Sequence, residues 1–236
     1  MVDLQRDELG LDEFVGHAVS SMLKRVRTAM PAQIIAFNEA QNTVDVQPVL
    51  QRKVKGVVGN QPPVMNVPVI MYGSGGFVVT HKPQAGDVCL LVVTDRSMDA
   101  WKAKGGIADP ADQRSHDPTD SVAILGINPF GAAYADIKDG IDIRSRDGTV
   151  SLNVDTDLIK GEVDGGGTFE VTADKISHVI GSLEITMEGS AITLKAGGQT
   201  LELSTTGLQH NGVNIGATHT HYDPSNTTPI TGTPVT

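Results

Sequence analysis

Two histidines in the last part of the chain are the residues whose type and spacing most clearly suggest chemistry. In the segment GVNIGATHTHYDP, His219 and His221 share the parity of Val213 and Ile215. If a β-strand continues through this segment, side chains at a period of two point to one face, which places both imidazoles among apolar residues. Their lone pairs then need a partner, and a metal ion supplies one. The spacing predicts a metal site; the alternative is a solvent-exposed polar tail with two incidental histidines.

The number of ligands bears on which metal would bind. Three chains meeting on one axis would present six imidazole nitrogens to a single ion. Six-coordination disfavours structural zinc, which is almost always tetrahedral, and suits iron or nickel better.

The same residues also resemble the start of a metallo-β-lactamase-type hydrolase site. There His219, His221 and Asp223 would hold a metal with an open position for water. In that family a further histidine stands where this chain has Pro224, and a large half-domain follows, whereas twelve residues follow here. We therefore expect a protein that is not an enzyme.

Two further histidines lie in alternating segments. His178 shares its parity with Ile176 and Ile180, and His210 shares its parity with Leu208. Inside a trimer, a layer of three such histidines could bind an anion or water. The alternative is a strand-edge or turn position at which the parity has slipped.

A group of aspartates around SMDAWKAKGGIADPADQRSHDP could suggest paired-carboxylate catalysis. Asp before Pro or at a helix end is more simply a turn or capping residue, so no catalytic role is expected. The residues concerned are Asp95, Asp99, Asp109, Asp112 and Asp117.

The elements that would position the histidines follow Phe130. Short segments alternate apolar with polar residues, and nothing long, aromatic or helical remains to cover their apolar faces. Strands this short do not close a core within one chain, so several identical chains must supply the cover. The pattern predicts an intertwined, oligomeric β-structure over residues 131–216, built from IDIRS, TVSLNV, FEVTA, SLEITM, AITLKA, TLELS and GVNIG.

The first half of the chain has a different character. Apolar residues from Leu11 to Met30 recur at helical spacing and Pro31 follows, which predicts a helix in residues 1–31 that packs on its own domain or serves as a docking or trimer contact. Residues 32–130 contain five or six short strands and one short helix, typical of a small barrel such as an OB-fold. We expect this barrel to be a structural adaptor, because no basic groove with interleaved aromatics indicates ligand binding.

Composition limits the partners. The net charge of −10 and the pI of about 5.0 disfavour nucleic acid and anionic membranes as main partners. A single cysteine, Cys89, excludes an intrachain disulfide, and its apolar neighbours predict a buried thiol. The acidic start lacks a secretory pattern, so folding in a reducing cytoplasm is expected.

The combination of an alternating short-strand stalk and the ending THTHYDPSNTTPITGTPVT resembles a known family. These features are similar to the central membrane-piercing spike proteins in the baseplates of contractile-tailed phages and phage-tail-like bacteriocins. The tip pair matches at His219-Thr220-His221, and the Thr-Gly-x-Pro ending matches at residues 231–234. The resemblance extends more weakly to the barrel and the N-terminal segment.

The resemblance implies a fold and a function. It implies a virion protein assembled in the bacterial cytoplasm, a homotrimer below the baseplate hub and tail tube that pierces the host outer membrane mechanically. It also implies one iron ion per trimer, held by His219 and His221 of three chains in an apex spanning residues 217–236. A trimeric receptor- or glycan-binding tail protein is the alternative, and a metallohydrolase is less favoured.

Overall fold

A computed structural model of the chain describes residues 10–54, 56–110, 112–219, 222–223 and 226–229. The described structure is mainly β and divides into two units, Met1–Ala133 and Tyr134–Thr236. The division falls close to Phe130, where the pattern of the sequence changes. Each unit has its own sheet system.

Within its described residues, the first unit contains two α-helices, one 3₁₀ turn and nine strands. They are α1 (Leu11–Leu23), β1 (Ala29–Asn38), β2 (Thr43–Pro48), β3 (Arg52–Val54), β4 (Val57–Gly59), β5 (Val64–Pro68), β6 (Tyr72–Ser74), β7 (Phe77–Val79), β8 (Val88–Val93), α2 (Asp99–Lys104), β9 (Ser121–Leu125) and the turn Phe130–Ala132.

Five of these strands form a half-barrel. The sheet order is β5-β2-β1-β8-β9, with all neighbours antiparallel. The two edges meet just beyond β5, where Val69 bridges Ala123 in parallel and the amide of Ile70 donates to the Ala123 carbonyl at 3.0 Å. The predicted mainly β character is confirmed, and the small barrel takes the form of this half-barrel sheet.

The core of the half-barrel follows from alternation along its strands. Burying apolar side chains at a period of two leaves the other face of each strand to water. Cys89 is fully buried among these residues, as predicted, and burial raises the pKa of its thiol to about 11. The core consists of Met30, Ala32, Ile34, Val44, Val46, Val64, Val67, Cys89, Leu91, Val93 and Ala123.

The N-terminal helix is shorter than predicted. Helix α1 ends at Leu23, and both Met30 and Pro31 lie in β1. Helical spacing continues to Met30 in the sequence, but Met30 is buried in the barrel core, and this tertiary contact outweighs the local pattern. Helix α1 buries none of its residues, so packing on its own domain is not seen.

The second unit is a run of short strands. They are β10 (Ile141–Arg144), β11 (Val150–Val154), β12 (Ile159–Val163), β13 (Gly167–Val171), β14 (Lys175–Ile180), β15 (Leu183–Glu188), β16 (Ala191–Ala196), β17 (Gln199–Ser204), β18 (Gly207–His210), β19 (Val213–Asn214), β20 (Tyr222–Asp223) and β21 (Asn226–Pro229).

Strands β10 to β19 form one antiparallel meander in which every strand pairs with its neighbours in sequence. The backbone groups of this sheet are therefore paired within one chain, and strand exchange between chains is not needed to satisfy them. An intertwined arrangement stays a prediction. Tight turns join the later strands, as at Asn211-Gly212, where both residues have positive φ, as a type I′ hairpin turn requires.

Candidate functional site

One face of the meander carries nearly all of its large apolar side chains. The pairing register is continuous, so residues of neighbouring strands line up in rows across the sheet. We call the middle row on this face the central row. It consists of Ile143, Leu152, Gly161, Phe169, His178, Ile185, Leu194, Leu201, His210 and Val213.

This apolar face is open in the single chain. Fifteen of its large aliphatic side chains are between 37% and 65% exposed. No described element covers them, which reverses the usual arrangement of a soluble sheet. The residues are Ile141, Ile143, Val150, Val154, Ile159, Val163, Ile176, Ile180, Leu183, Ile185, Met187, Ile192, Leu194, Leu203 and Val213.

The opposite face is polar and carries the charged residues. Ion pairs join Lys160 to Glu162 at 2.8 Å and Lys195 to Glu184 at 2.9 Å. The pKa of Glu184 is lowered, first by the hydrogen bond from Thr186 and then by Lys195. Exposed pairs of this kind contribute little stability, but a charged outer face suits contact with water.

His178 lies in the middle of the apolar face. It pairs across the sheet with Phe169 on one side and Ile185 on the other. The His178 and Phe169 rings stack, with centroids 6.1 Å apart and an angle of 29° between planes. Phe169 in turn lies over Gly161, where an added Cβ would overlap its ring carbons. The parity of His178 has not slipped.

His210 lies on the same face, in a different setting. It is the last residue of β18, opposite Leu201 and Val213, and the Asn211-Gly212 turn follows it directly. Both histidines therefore occupy the apolar face, which the sequence parity allowed but did not decide.

The structure describes His219 but not His221. Strand β19 ends at Asn214, and a bend and turn follow, so the premise of a continuous strand through the His-x-His pair is wrong. Just beyond the strand end, the Gly216 amide donates a hydrogen bond to the Asn214 side-chain oxygen at 2.8 Å. His221 lies outside the described residues.

The geometry of His219 bears on its fitness as a ligand. Its Nδ1 lies 2.6 Å from the carbonyl oxygen of Gly216, and a carbonyl only accepts, so Nδ1 carries the proton and donates. That tautomer has its lone pair on Nε2. Metal-ligating histidines commonly donate the other ring N–H to a carbonyl in this way.

The aspartates flagged in the sequence do not form a paired-carboxylate site. Arg114 binds two of these aspartates, donating to Asp99 at 2.7 Å and to Asp112 at 2.8 Å. Through Nε it also donates to a third carboxylate, that of Asp120, at 2.6 Å. Asp95, Asp109 and Asp117 stand outside this cluster. The position of each carboxylate against a guanidinium indicates a structural clasp.

Asp120 was not predicted from the sequence as a member of this cluster. It is 1% exposed and also accepts the Met98 amide at 2.8 Å. Burial alone would raise its pKa, but the hydrogen bonds from Arg114 and Met98 together hold it below the usual value. The sequence places Asp120 directly before β9. Its burial, which creates the need for nearby donors, comes from the tertiary fold.

Within the described residues, no group of three or more His, Cys, Asp or Glu side chains is placed to hold a metal ion. In the same part of the chain, no helix is long and apolar enough to cross a membrane.

The half-barrel provides the link to known proteins. Residues 30–126 match the family model of the phage protein Gp138 N-terminal domain. The match to the Gp138 N-terminal domain covers the five-stranded sheet and α2, and covers less than half of the chain. The expectation of a phage protein is confirmed at this level, and a virion-associated structural protein follows from it. A search of curated proteins finds no match to the chain.

Proposed function

We propose that the chain is the central spike of a contractile-tail baseplate, a homotrimer that punctures the bacterial outer membrane without catalysis. The open apolar face of the meander carries this proposal. Burying such a face is the main favourable contribution to association, at roughly 25 cal/mol per Å² of apolar area. The match of residues 30–126 to the Gp138 N-terminal domain supports a place in a phage particle.

The length of the apolar face supports further copies of the chain as its cover. Ten strands at about 4.8 Å spacing extend about 43 Å across nine intervals. Helix α1, with its 13 residues, is about 20 Å long and too short to cover that length. A second and third copy of the same face match it in length and in apolar character.

Three flat sheets with apolar faces inward and charged faces outward would form a narrow three-sided shaft. The pairing within each chain lets each sheet be one side of the prism. Charge on the outer face opposes association with further sheets, which favours a closed assembly over open stacking.

In the proposal, one iron ion per trimer closes the tip, held by His219 and His221 of the three chains. The Nδ1 donation from His219 to Gly216 supports this role, because it fixes the tautomer that has its lone pair on Nε2. Iron at the tip would supply a crosslink among three chain ends, with no chemical reaction.

Apolar surface on the first unit supports contacts with the baseplate hub and tail tube. Helix α1 has an uncovered apolar side that includes Phe14 and Met22, and Phe77 at the tip of the β6–β7 hairpin is 89% exposed. We propose these two features as docking elements for the neighbouring tail proteins.

The trimer is tested by sedimentation of the full chain and two matched variants. Leu194 and Thr193 are adjacent in β16 and face opposite sides of the sheet. Leu194→Lys places a charge on the apolar face and should yield monomers or aggregates. Thr193→Lys places the same charge on the polar face beside Glu202 and should stay trimeric. A wild-type chain that is monomeric and folded would overturn the proposal.

A groove on the half-barrel favours receptor or glycan binding as the second candidate. It has a volume of about 680 Å³ and is lined by Trp101, Lys102, Gln41, Asn66 and Asp99, among others. An exposed indole with amide and charged groups around it suits a sugar ring. Saccharide binding that is lost in Trp101→Ala would support this candidate, and its absence across a glycan panel would exclude it.

A further inference from the structure

We propose that the three His178 side chains of the trimer form a metal site inside the shaft, separate from the tip, that binds one divalent transition-metal ion such as Zn²⁺. This inference rests on the proposed trimer, because one chain supplies a single ligand. It adds an interior crosslink to the proposed spike.

The position of His178 carries the proposal. It belongs to the central row, with three strands of the apolar face before Phe169 and several after Ile185. When three such faces pack around an axis, residues of the same row and level meet one another. Three His178 side chains then face one another at one level.

The orientation of the imidazole is restricted before any ion binds. The Phe169 ring lies over Gly161, and His178 stacks on that ring. Stacking engages a face of the imidazole, whereas both nitrogens lie on the ring edge, where a ligand would bind. Restricting a ligand in advance lowers the entropy cost of binding.

The chemistry of the surroundings favours a cation over an anion. Within the described residues His178 has no hydrogen-bond or ion-pair partner, and no carboxylate lies on the apolar face of the meander. With no carboxylate on this face to pair with an imidazolium, the ring nitrogens of His178 suit a metal cation, which imidazole commonly binds. Anion binding would need at least one protonated ring.

The ligand number then selects the metal. Three imidazoles with one water in the fourth position give the four-coordinate arrangement that zinc accepts. Imidazole also suits nickel and copper, so the site is assigned to this class of ions. Six ligands at the tip and three in the shaft would therefore select different metals.

His210 provides an internal comparison. It occupies the same row, but it lies at the end of β18 beside a hairpin turn and does not stack on an aromatic ring. Its side chain lacks the support that Phe169 gives to His178. We therefore assign the shaft site to His178 alone.

The test uses the full chain with the tip ligands removed. In the His219→Ala, His221→Ala background, protein expressed with added Zn²⁺ is passed through sedimentation and then elemental analysis. The expected result is a trimer with about one zinc per three chains. Adding His178→Phe, which keeps a flat ring but removes the nitrogens, should reduce zinc to under about a tenth of that while the trimer remains. His210→Phe should leave the zinc in place.

A spectroscopic arm identifies the ligands. Co²⁺ in place of Zn²⁺ should give the intense visible absorption of a four-coordinate cobalt site, and His178→Phe should abolish it. If His178→Phe does not assemble, His178→Gln serves as the second variant with the same expectation.

Each outcome decides the proposal. A trimer without zinc in the tip-deleted background overturns the shaft site and leaves the proposed spike standing. Zinc that survives His178→Phe, or that is lost only in His210→Phe, also overturns it. A monomer in wild-type protein overturns the spike, and the shaft site with it.

Discussion

Phe169 lies over the backbone of Gly161, its direct cross-strand partner, so closely that a Cβ on Gly161 would overlap the phenyl ring. The absence of a side chain at Gly161 is what allows Phe169 to lie flat on the sheet. His178 is the cross-strand partner of Phe169 on its other side and stacks on the same ring. Gly161 therefore affects the positions of both rings.

We predict that Gly161→Ala destabilises the second unit. The φ of Gly161 is ordinary, so the effect comes from displacing the Phe169 ring, and overpacking of this kind costs about 1–3 kcal/mol. Chemical denaturation measures the change. Gly198→Ala is the matched control, because a Cβ there meets nothing within 4 Å and φ is not positive. Equal effects of the two variants would contradict the steric account.

Replacement of Arg114 should destabilise the half-barrel more than replacement of an exposed lysine. Arg114→Met leaves the buried Asp120 without its guanidinium partner, which is costly for a carboxylate out of water. Lys82→Met removes a partner from Glu39, where both side chains are largely exposed, and should have little effect. Thermal unfolding of the two variants gives the comparison, and similar midpoints would argue against the clasp.

Asp120 should make the stability of the first unit depend on acid pH. Its folded pKa lies below its unfolded value, so its contribution is fully present above about pH 4 and is lost as the pH falls through the folded pKa. Asp120→Asn should be less stable than wild type at neutral pH. The difference should shrink as the pH falls below about 4. A difference that stays constant would exclude ionisation of Asp120 as its source.

Deletion of residues 1–24 should leave the half-barrel folded. Helix α1 buries no residue, whereas Arg27 and Thr28 accept hydrogen bonds from His116 and Val93 and must be kept. The unfolding midpoint of the first unit should change little, as for other exposed changes. Incorporation into tail particles should fall if α1 docks to neighbouring tail proteins. Loss of folding would show that α1 packs on the barrel in solution.

Metal at the tip should depend on both histidines and on pH. We expect wild-type trimers to contain about one iron per three chains at the tip and His219→Ala, His221→Ala trimers to contain none, with the shaft still trimeric. Protons compete with the metal for imidazole nitrogen, so iron retention should weaken as the pH is lowered. Iron analysis across pH checks this, and one iron per chain would favour an open, enzyme-like site.

Alternation predicted much of the second unit. SLEITM alternates strictly and AITLKA alternates from Ile192 onward, and the two segments form β15 and β16. Strand β12 was missed because Lys160-Gly161-Glu162 contains no apolar side chain at its centre, where Gly161 makes room for Phe169. That requirement comes from the neighbouring strand and is not visible in the local sequence.

The predictions that failed near the two ends of the chain have similar causes. Met30 continued the helical spacing of α1, but the barrel core takes it into β1. At the tip, the parity of His219 with Val213 assumed a strand that ends at Asn214, whose side-chain oxygen accepts the Gly216 amide. Periodicity predicts a face only for as long as the strand lasts.

The turn-joined pairing of neighbouring strands in the meander also bears on how such proteins change in evolution. Contacts in the sheet are local in sequence, so a hairpin of two strands can be inserted or removed without altering the direction or the register of the rest. Each such insertion or removal would change the extent of the sheet across its strands by about 10 Å. In the proposed spike, duplication of a two-strand segment of about sixteen residues would lengthen the shaft by that amount.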